Sequence, residues 1–133
     1  MGKLEFRSLK IMASYGKTIN KIYYVVENGR STVEAFFKLS EEERINIRQI
    51  IVRMATEEHF ISPMVKYTLN KYAFGEIRPR GQRFFFFRKV GNNYVFFGHC
   101  EKKRKSLPDQ VYKQLEKRMK IYEKEFTRIN RGF

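Results

Sequence analysis

The sequence predicts one α+β domain, in which helices pack on one side of a sheet that contains an antiparallel meander. Its 133 residues are 42% hydrophobic and 16% aromatic, which suffices for a single core. Three strand-like runs, separated by short turns, follow one another between residues 71 and 99. Helical patterns precede and follow these runs. The predicted order is therefore strand, helix, helix, three strands, helix.

The N-terminal part divides at about residue 20. Residues 1–20 are predicted to be an extension that forms a short strand or a packed arm, and residues 21–133 are predicted to be the single domain. Residues 22–26 are a compact run of β-branched and aromatic residues, which is typical of a strand. The pair Asn28-Gly29 follows and predicts a tight turn.

Two helices are predicted after this turn. Val33, Phe36 and Phe37 fall on one face of the first helix. Ser40 and Glu43 have the spacing of a capping box, in which each side chain binds the backbone N–H of the other residue, so the second helix begins there. Its apolar residues recur at i, i+3, i+4 and i+7 and predict one buried face: Ile47, Ile50, Ile51 and Met54.

The three strands of the meander are predicted from alternating apolar runs and the turns between them. They cover residues 71–78, 83–90 and 94–99, with turns at 79–82 and 91–93. The middle strand carries four consecutive phenylalanines at 84–87. Because neighbouring side chains of a strand point to opposite faces, this run buries both faces and predicts a central strand.

A basic segment at 101–105 leads into the last helix, which is predicted to begin near Pro108. The apolar stripe of this helix is Val111, Leu115, Met119, Tyr122, Phe126 and Ile129. The opposite face is predicted to carry Lys113, Lys117, Lys120 and Lys124. This amphipathic pattern predicts that the stripe packs against the core.

The charge distribution predicts a polyanionic partner. The net charge is +14, and residues 67–133 hold 17 lysines and arginines against 6 acidic residues, a net charge of +11. Such a density is costly to hold on a compact body, and binding to nucleic acid relieves it through counterion release. A surface that merely favours solubility is the alternative.

Several other classes of protein are not indicated. One cysteine and two histidines are a poor basis for a disulfide or a zinc site, so no metal or cofactor is expected. No apolar run approaches the length of a membrane helix, and no signal peptide is visible. We therefore expect a cytoplasmic protein without a membrane partner.

Charged residues at the ends of the predicted strands suggest a phosphate site. Glu76 and Arg78 point to one face of their strand, and a turn that pairs Arg78 with Arg83 adds a second guanidinium. Two guanidinium groups that converge on one anion are well suited to phosphate, and Glu76 or His99 could move a proton. The alternatives are a cross-strand ion pair for Glu76 and a structural role for His99.

These residues lie in segments that resemble a known family. Residues 74–78, 82–86 and 98–103, followed by Pro108, resemble the phage-derived HigB-like branch of the RelE/ParE toxin superfamily. That branch has an acidic-apolar-Arg triplet and an aromatic-Arg step five residues later. A Lys-Lys pair and a proline that opens the last helix follow. The resemblance covers about residues 21–126 and implies a RelE-like fold.

The resemblance implies the toxin of a type II toxin–antitoxin system. Such a toxin is an endoribonuclease that cleaves mRNA on the ribosome without a metal, by attack of the ribose 2′-OH on the scissile phosphate. Arg78 and Arg83 would neutralise the phosphate, and Glu76 or His99 would transfer protons. RNA phosphates would be held by Lys66, Lys71, Arg80, Lys102, Lys103 and Lys105. The partner would be an antitoxin of the helix-turn-helix type.

Two other functions remain open at this point. A gyrase poison of the ParE type would belong to the same superfamily but would not cleave RNA. A non-catalytic module would bind RNA or DNA through charge and stacking alone.

Overall fold

The computed structural model describes residues 3–9, 20–33, 38, 40–56, 65–66, 74–78, 82–89, 93–101 and 109–130. These form β1 (Leu4–Ser8), β2 (Lys21–Glu27), β3 (Arg30–Ser31), α1 (Glu41–Thr56), β4 (Val65–Lys66), β5 (Gly75–Ile77), β6 (Gln82–Lys89), β7 (Asn93–Glu101) and α2 (Asp109–Asn130). The strands make one mixed sheet in the order β1-β2-β7-β6-β5-β4, and β3 pairs with β2. Strands β2 and β7 run parallel, and the other paired strands run antiparallel.

The predicted α+β class and the meander are confirmed. Strands β5, β6 and β7 are consecutive and antiparallel, and β6 lies between the other two. The four phenylalanines at 84–87 are each at most 2% exposed, as expected of a central strand. The N-terminal extension contributes β1, whose whole length pairs with β2, from Leu4 opposite Glu27 to Ser8 opposite Tyr23.

Two local sequence signals have the structure that they predict. Asn28 and Gly29 have φ angles of 53° and 81°, so both adopt the left-handed conformation that a two-residue hairpin turn requires. At the start of α1, Glu43 N donates to Ser40 Oγ, and Ser40 N donates to Glu43 Oε1, at 3.3 Å each. The backbone angles fix where the hairpin turns, and the two contacts between Ser40 and Glu43 satisfy free N–H groups and so fix where the helix begins.

Helices α1 and α2 lie on opposite faces of the sheet, so the prediction of helices on one side is wrong. Phe84 and Phe86 share a core with the buried face of α1, which consists of Ile47, Ile50, Ile51, Met54 and Ala55. Phe85 and Phe87 share a second core with Leu115, Met119, Tyr122 and Phe126 of α2. A strand that is apolar on both faces needs cover on both sides, and one helix supplies each cover.

One predicted feature ends earlier than expected, and two others fall outside the described residues. The apolar stripe of α2 stops before Ile129, which is 41% exposed. The residues 34–37 of the first predicted helix lie outside the described residues, as does Pro108. Among the described residues, neither helix combines the length and the apolar character that crossing a membrane requires.

Candidate functional site

Glu76, Arg78 and Arg83 lie together on the face of the sheet that α2 covers. Ile77 pairs with Phe84, so the next step along the two strands brings Arg78 beside Arg83, as the sequence predicts. Arg78 donates from Nε to Oε1 of Glu76 and also contacts this oxygen through Nη2. Nη1 of Arg83 lies 3.5 Å from Oε2 of the same carboxylate. Two guanidinium groups therefore share one carboxylate.

Tyr112 of α2 closes this cluster. Nη1 of Arg83 donates to the hydroxyl of Tyr112 at 3.1 Å. The Tyr112 ring packs near Phe74 and Phe85, with centroid distances of 6.4 Å and 6.5 Å. Tyr112 is not among the predicted site residues, although a tyrosine at the margin of an apolar helix stripe typically brings a hydroxyl into the core. We refer to Glu76, Arg78, Arg83 and Tyr112 as the arginine cluster.

The arginine cluster is sealed rather than open. Glu76 and Arg83 are 0% exposed, and the Arg78 side chain is 23% exposed. Both guanidinium groups are predicted from the sequence to face an accessible anion pocket, and the structure brings them together without that access. A phosphate could reach the Arg83 guanidinium only after a rearrangement that uncovers it, because this side chain is fully buried and donates to Tyr112 of α2.

His99 lies on the opposite face of the sheet from the arginine cluster. Phe86 pairs with Phe96 but Phe85 pairs with Gly98, so β7 has one extra residue at this point. The extra residue places His99 opposite Phe84, on the α1 face. A one-residue change of register moves every later side chain to the other face. His99 therefore does not join Glu76, contrary to the prediction from the sequence.

On the α1 face, His99 belongs to a polar chain of its own. His99 Nε2 donates to Oε1 of Gln82, and Nε2 of Gln82 donates to Glu43 Oε2 at 3.4 Å. The His99 ring packs on Phe84 at a centroid distance of 4.6 Å. Hydrogen bonds from Ser40 lower the pKa of Glu43, which keeps this carboxylate charged. We call Glu43, Gln82 and His99 the histidine chain.

Cys100 takes the position opposite Arg83. Burial raises the pKa of its thiol, Arg83 opposes this effect, and Glu76 adds to it. The net result favours the protonated thiol, which is a poor nucleophile. Cys100 therefore belongs to the packing around the arginine cluster rather than to its chemistry.

Most of the residues predicted to bind nucleic acid lie outside the described residues. These are Lys71, Arg80, Lys102, Lys103 and Lys105. The backbone of Lys66 is described and pairs with Glu76 between β4 and β5. The described residues contain no group of three or more side chains that could hold a metal ion.

Comparisons with known proteins find no matching family model and no curated protein with significant similarity.

Proposed function

We propose that this protein binds RNA through its basic surface. The observation that carries the proposal is the charge distribution, with a net charge of +11 in residues 67–133. Exposed cations also lie on α2, including Lys117 and Lys124. Neutralisation of phosphates by such side chains releases counterions, which drives binding regardless of sequence.

Binding alone is better supported than catalysis by the described residues. The carboxylate of Glu76 and the guanidinium of Arg83 are buried, and His99 lies on the other face of the sheet. A general acid or base has to come within hydrogen-bond distance of the proton that it transfers. The groups expected to share one phosphate do not meet at a point that a substrate can reach.

The test of this proposal is the affinity for a labelled single-stranded RNA, measured by fluorescence anisotropy over a range of salt concentrations. We expect the logarithm of the association constant to fall linearly with the logarithm of salt. A duplex DNA of the same length, measured in parallel, shows whether RNA is preferred. The absence of binding to RNA at low salt would contradict the proposal.

A second candidate is the ribosome-dependent mRNA endoribonuclease of a type II toxin–antitoxin system. It is favoured by the close grouping of Glu76, Arg78 and Arg83, which are the positions that the family resemblance assigns to phosphate chemistry. In this candidate Arg78 contacts the phosphate, because its side chain reaches solvent, and Arg83 positions Glu76 and Tyr112. The partners are mRNA on the ribosome and a helix-turn-helix antitoxin, and no metal takes part.

Induction of the protein in a bacterial host tests the second candidate. Arrest of growth with cleavage of translated transcripts supports it, provided that Arg78→Gln abolishes both effects and the exposed control Arg48→Gln retains them. Growth arrest with intact transcripts and a DNA-damage response indicates a gyrase poison instead. Normal growth with intact transcripts rejects the toxin and leaves RNA binding as the function.

A further inference from the structure

Helix α2 carries a straight row of four exposed lysines, Lys113, Lys117, Lys120 and Lys124. Their spacings of 4, 3 and 4 residues keep them on one face of a helix. This face is opposite the stripe that α2 buries against the sheet, which includes Leu115, Met119 and Tyr122. We propose that this lysine row binds the phosphates of an RNA strand, an inference that rests on the proposed RNA-binding function and assigns it a surface.

The lysine row has the length and rigidity that a phosphate-binding surface needs. The first and last lysines are 11 residues apart, which at ~1.5 Å of rise per residue is roughly 16 Å along the helix axis. Several consecutive phosphates of a strand fit within that length. The helix beneath is fixed to the sheet, because Tyr122 donates to Glu27 Oε2 at 2.6 Å and Phe126 packs edge-on against Phe6 at 5.1 Å.

The lysines are available to a ligand. Lys113 and Lys120 form ion pairs with Asp109 and Glu116 at 3.5 Å and 3.6 Å. The two lysine side chains are 65% and 70% exposed, and pairs in such surroundings are weak and screened by salt. Within the part of the chain that the structure describes, Lys117 makes no ion pair, so the row can exchange its contacts for phosphate oxygens.

The acidic residues of α2 lie beside the row or, in the case of Asp109, one turn before its first lysine. Helical geometry places Glu116 and Glu123 along one side of it and Glu125 along the other, and all three are partly buried. The exposed face of α2 that carries the lysine row therefore presents mainly positive charge. Lysine ammonium groups act on phosphate as point charges, so this surface is expected to position RNA without selecting a sequence.

An anionic membrane is a poorer match than RNA for this helix. A helix that lies on a membrane inserts its apolar face between the lipids. The apolar face of α2 is occupied by the sheet, with Leu115, Met119 and Phe126 each at most 8% exposed. The exposed Ile121 lies beside the row and offers only one apolar side chain near it.

The experiment compares two variants that lose the same charge. The row variant carries Lys113→Gln, Lys117→Gln, Lys120→Gln and Lys124→Gln. The control variant carries Lys21→Gln, Arg30→Gln, Arg44→Gln and Arg48→Gln, whose parent side chains are all exposed and belong to elements other than α2. Each protein is titrated with a labelled single-stranded RNA at several salt concentrations and, separately, with vesicles of phosphatidylserine and phosphatidylcholine. Circular dichroism verifies that both variants keep their helices.

We expect the salt dependence of RNA binding to weaken in the row variant. The slope of the logarithmic plot should become shallower by about 2 to 3, because each phosphate contact on a single strand contributes about 0.7, while the control variant changes the slope by less than half as much. Equal slopes in the two variants, or an unchanged slope in the row variant, would overturn the inference. Loss of vesicle binding with unchanged RNA binding would overturn it in favour of a membrane surface. Failure of the unmodified protein to bind RNA would refute the proposed function itself.

Discussion

The two faces of the sheet both carry a polar cluster where β6 begins and β7 ends, but the clusters differ in their access to water. On the α2 face, Glu76 and Arg83 are fully buried. On the α1 face, Gln82 and His99 are half-buried and reach the exposed capping box of α1 through Glu43. The same end of one sheet thus combines a sealed ion pair with a solvated hydrogen-bonded chain.

The difference indicates distinct roles for the clusters. A buried ion pair loses much of its Coulomb energy to desolvation, so it contributes little net stability, but the loss of one partner leaves an unpaired charge in the core. A half-buried chain can replace a lost partner with water. We therefore expect the α2 face to be sensitive to single substitutions and the α1 face to be tolerant of them.

The largest expected effect comes from Arg83→Met. This change removes the buried partner of Glu76 and leaves the partly exposed Arg78 to balance its charge, so the free energy of unfolding should fall by up to about 3–5 kcal/mol. Gln82→Met, the matched change on the α1 face, should cost less than about 1.5 kcal/mol because water can replace the amide. Urea unfolding of the two variants provides the comparison, and similar losses in both would show that the arginine cluster is not sealed.

Removing both charged partners tests whether the loss of stability comes from a buried charge that has lost its partner. The double variant Glu76→Met and Arg83→Met replaces the ion pair with apolar side chains of comparable length. Its stability should recover most of the loss seen in Arg83→Met, because neither charge then remains buried alone. A double variant no more stable than Arg83→Met would mean that the pair is needed for reasons other than charge balance.

An intermediate effect is expected from Tyr112→Phe. The substitution keeps the ring contacts with Phe74 and Phe85 and removes only the hydroxyl that accepts from Arg83. A hydrogen bond to a charged group contributes about 1.5–3 kcal/mol, so the free energy of unfolding should fall by that amount. A stability equal to that of the unmodified protein would show that Tyr112 closes the cluster by packing alone.

A smaller effect is expected from Ser40→Ala at the capping box. The loss of the cap should cost about 1 kcal/mol. Ser40 lowers the pKa of Glu43 in the folded protein, so the stability from this carboxylate is present above its ordinary pKa and is lost as the pH falls through the lowered value. Unfolding measured from neutral to acidic pH should therefore show a weaker pH dependence in the variant. An identical pH dependence would remove Ser40 as the cause of the shift.

The smallest expected effect concerns the chemistry of Cys100. Because burial raises the pKa of this thiol, alkylation by iodoacetamide at pH 8 should be slower than that of a free cysteine, and the rate should continue to rise above pH 9. Arg83 acts in the opposite direction, so Arg83→Met should slow the reaction further. Rapid alkylation at neutral pH would contradict the described packing.

Local signals in the sequence were sufficient for many elements of the fold. The capping box of Ser40 and Glu43 and the turn at Asn28 and Gly29 depend on hydrogen bonds and backbone angles within a few residues. The four consecutive phenylalanines at 84–87 predict a strand that is buried on both faces, because neighbouring side chains of a strand point to opposite faces. The adjacency of Arg78 and Arg83 also follows from local geometry, because a short connection sets the register of the two strands.

The composition of the site depended on features that are not local. The extra residue in β7 moves His99 to the α1 face and brings Cys100 opposite Arg83. Gly98 lies at this point, and a Cβ atom there would be 3.2 Å from Cδ2 of Leu115 in α2. The irregularity therefore accompanies a close approach between strand and helix, which spacing along one chain cannot reveal. The hydrogen bond from Arg83 to Tyr112 likewise joins residues that are 29 positions apart in the sequence.

The most direct test of this account is the salt-dependent RNA affinity of the unmodified protein beside that of the double variant Glu76→Met and Arg83→Met, which has the same net charge. We predict that both proteins bind single-stranded RNA with the same logarithmic salt slope, because the sealed pair supports the fold while exposed cations contact the phosphates. Absence of binding, or a clearly shallower slope in a folded double variant, would contradict this account.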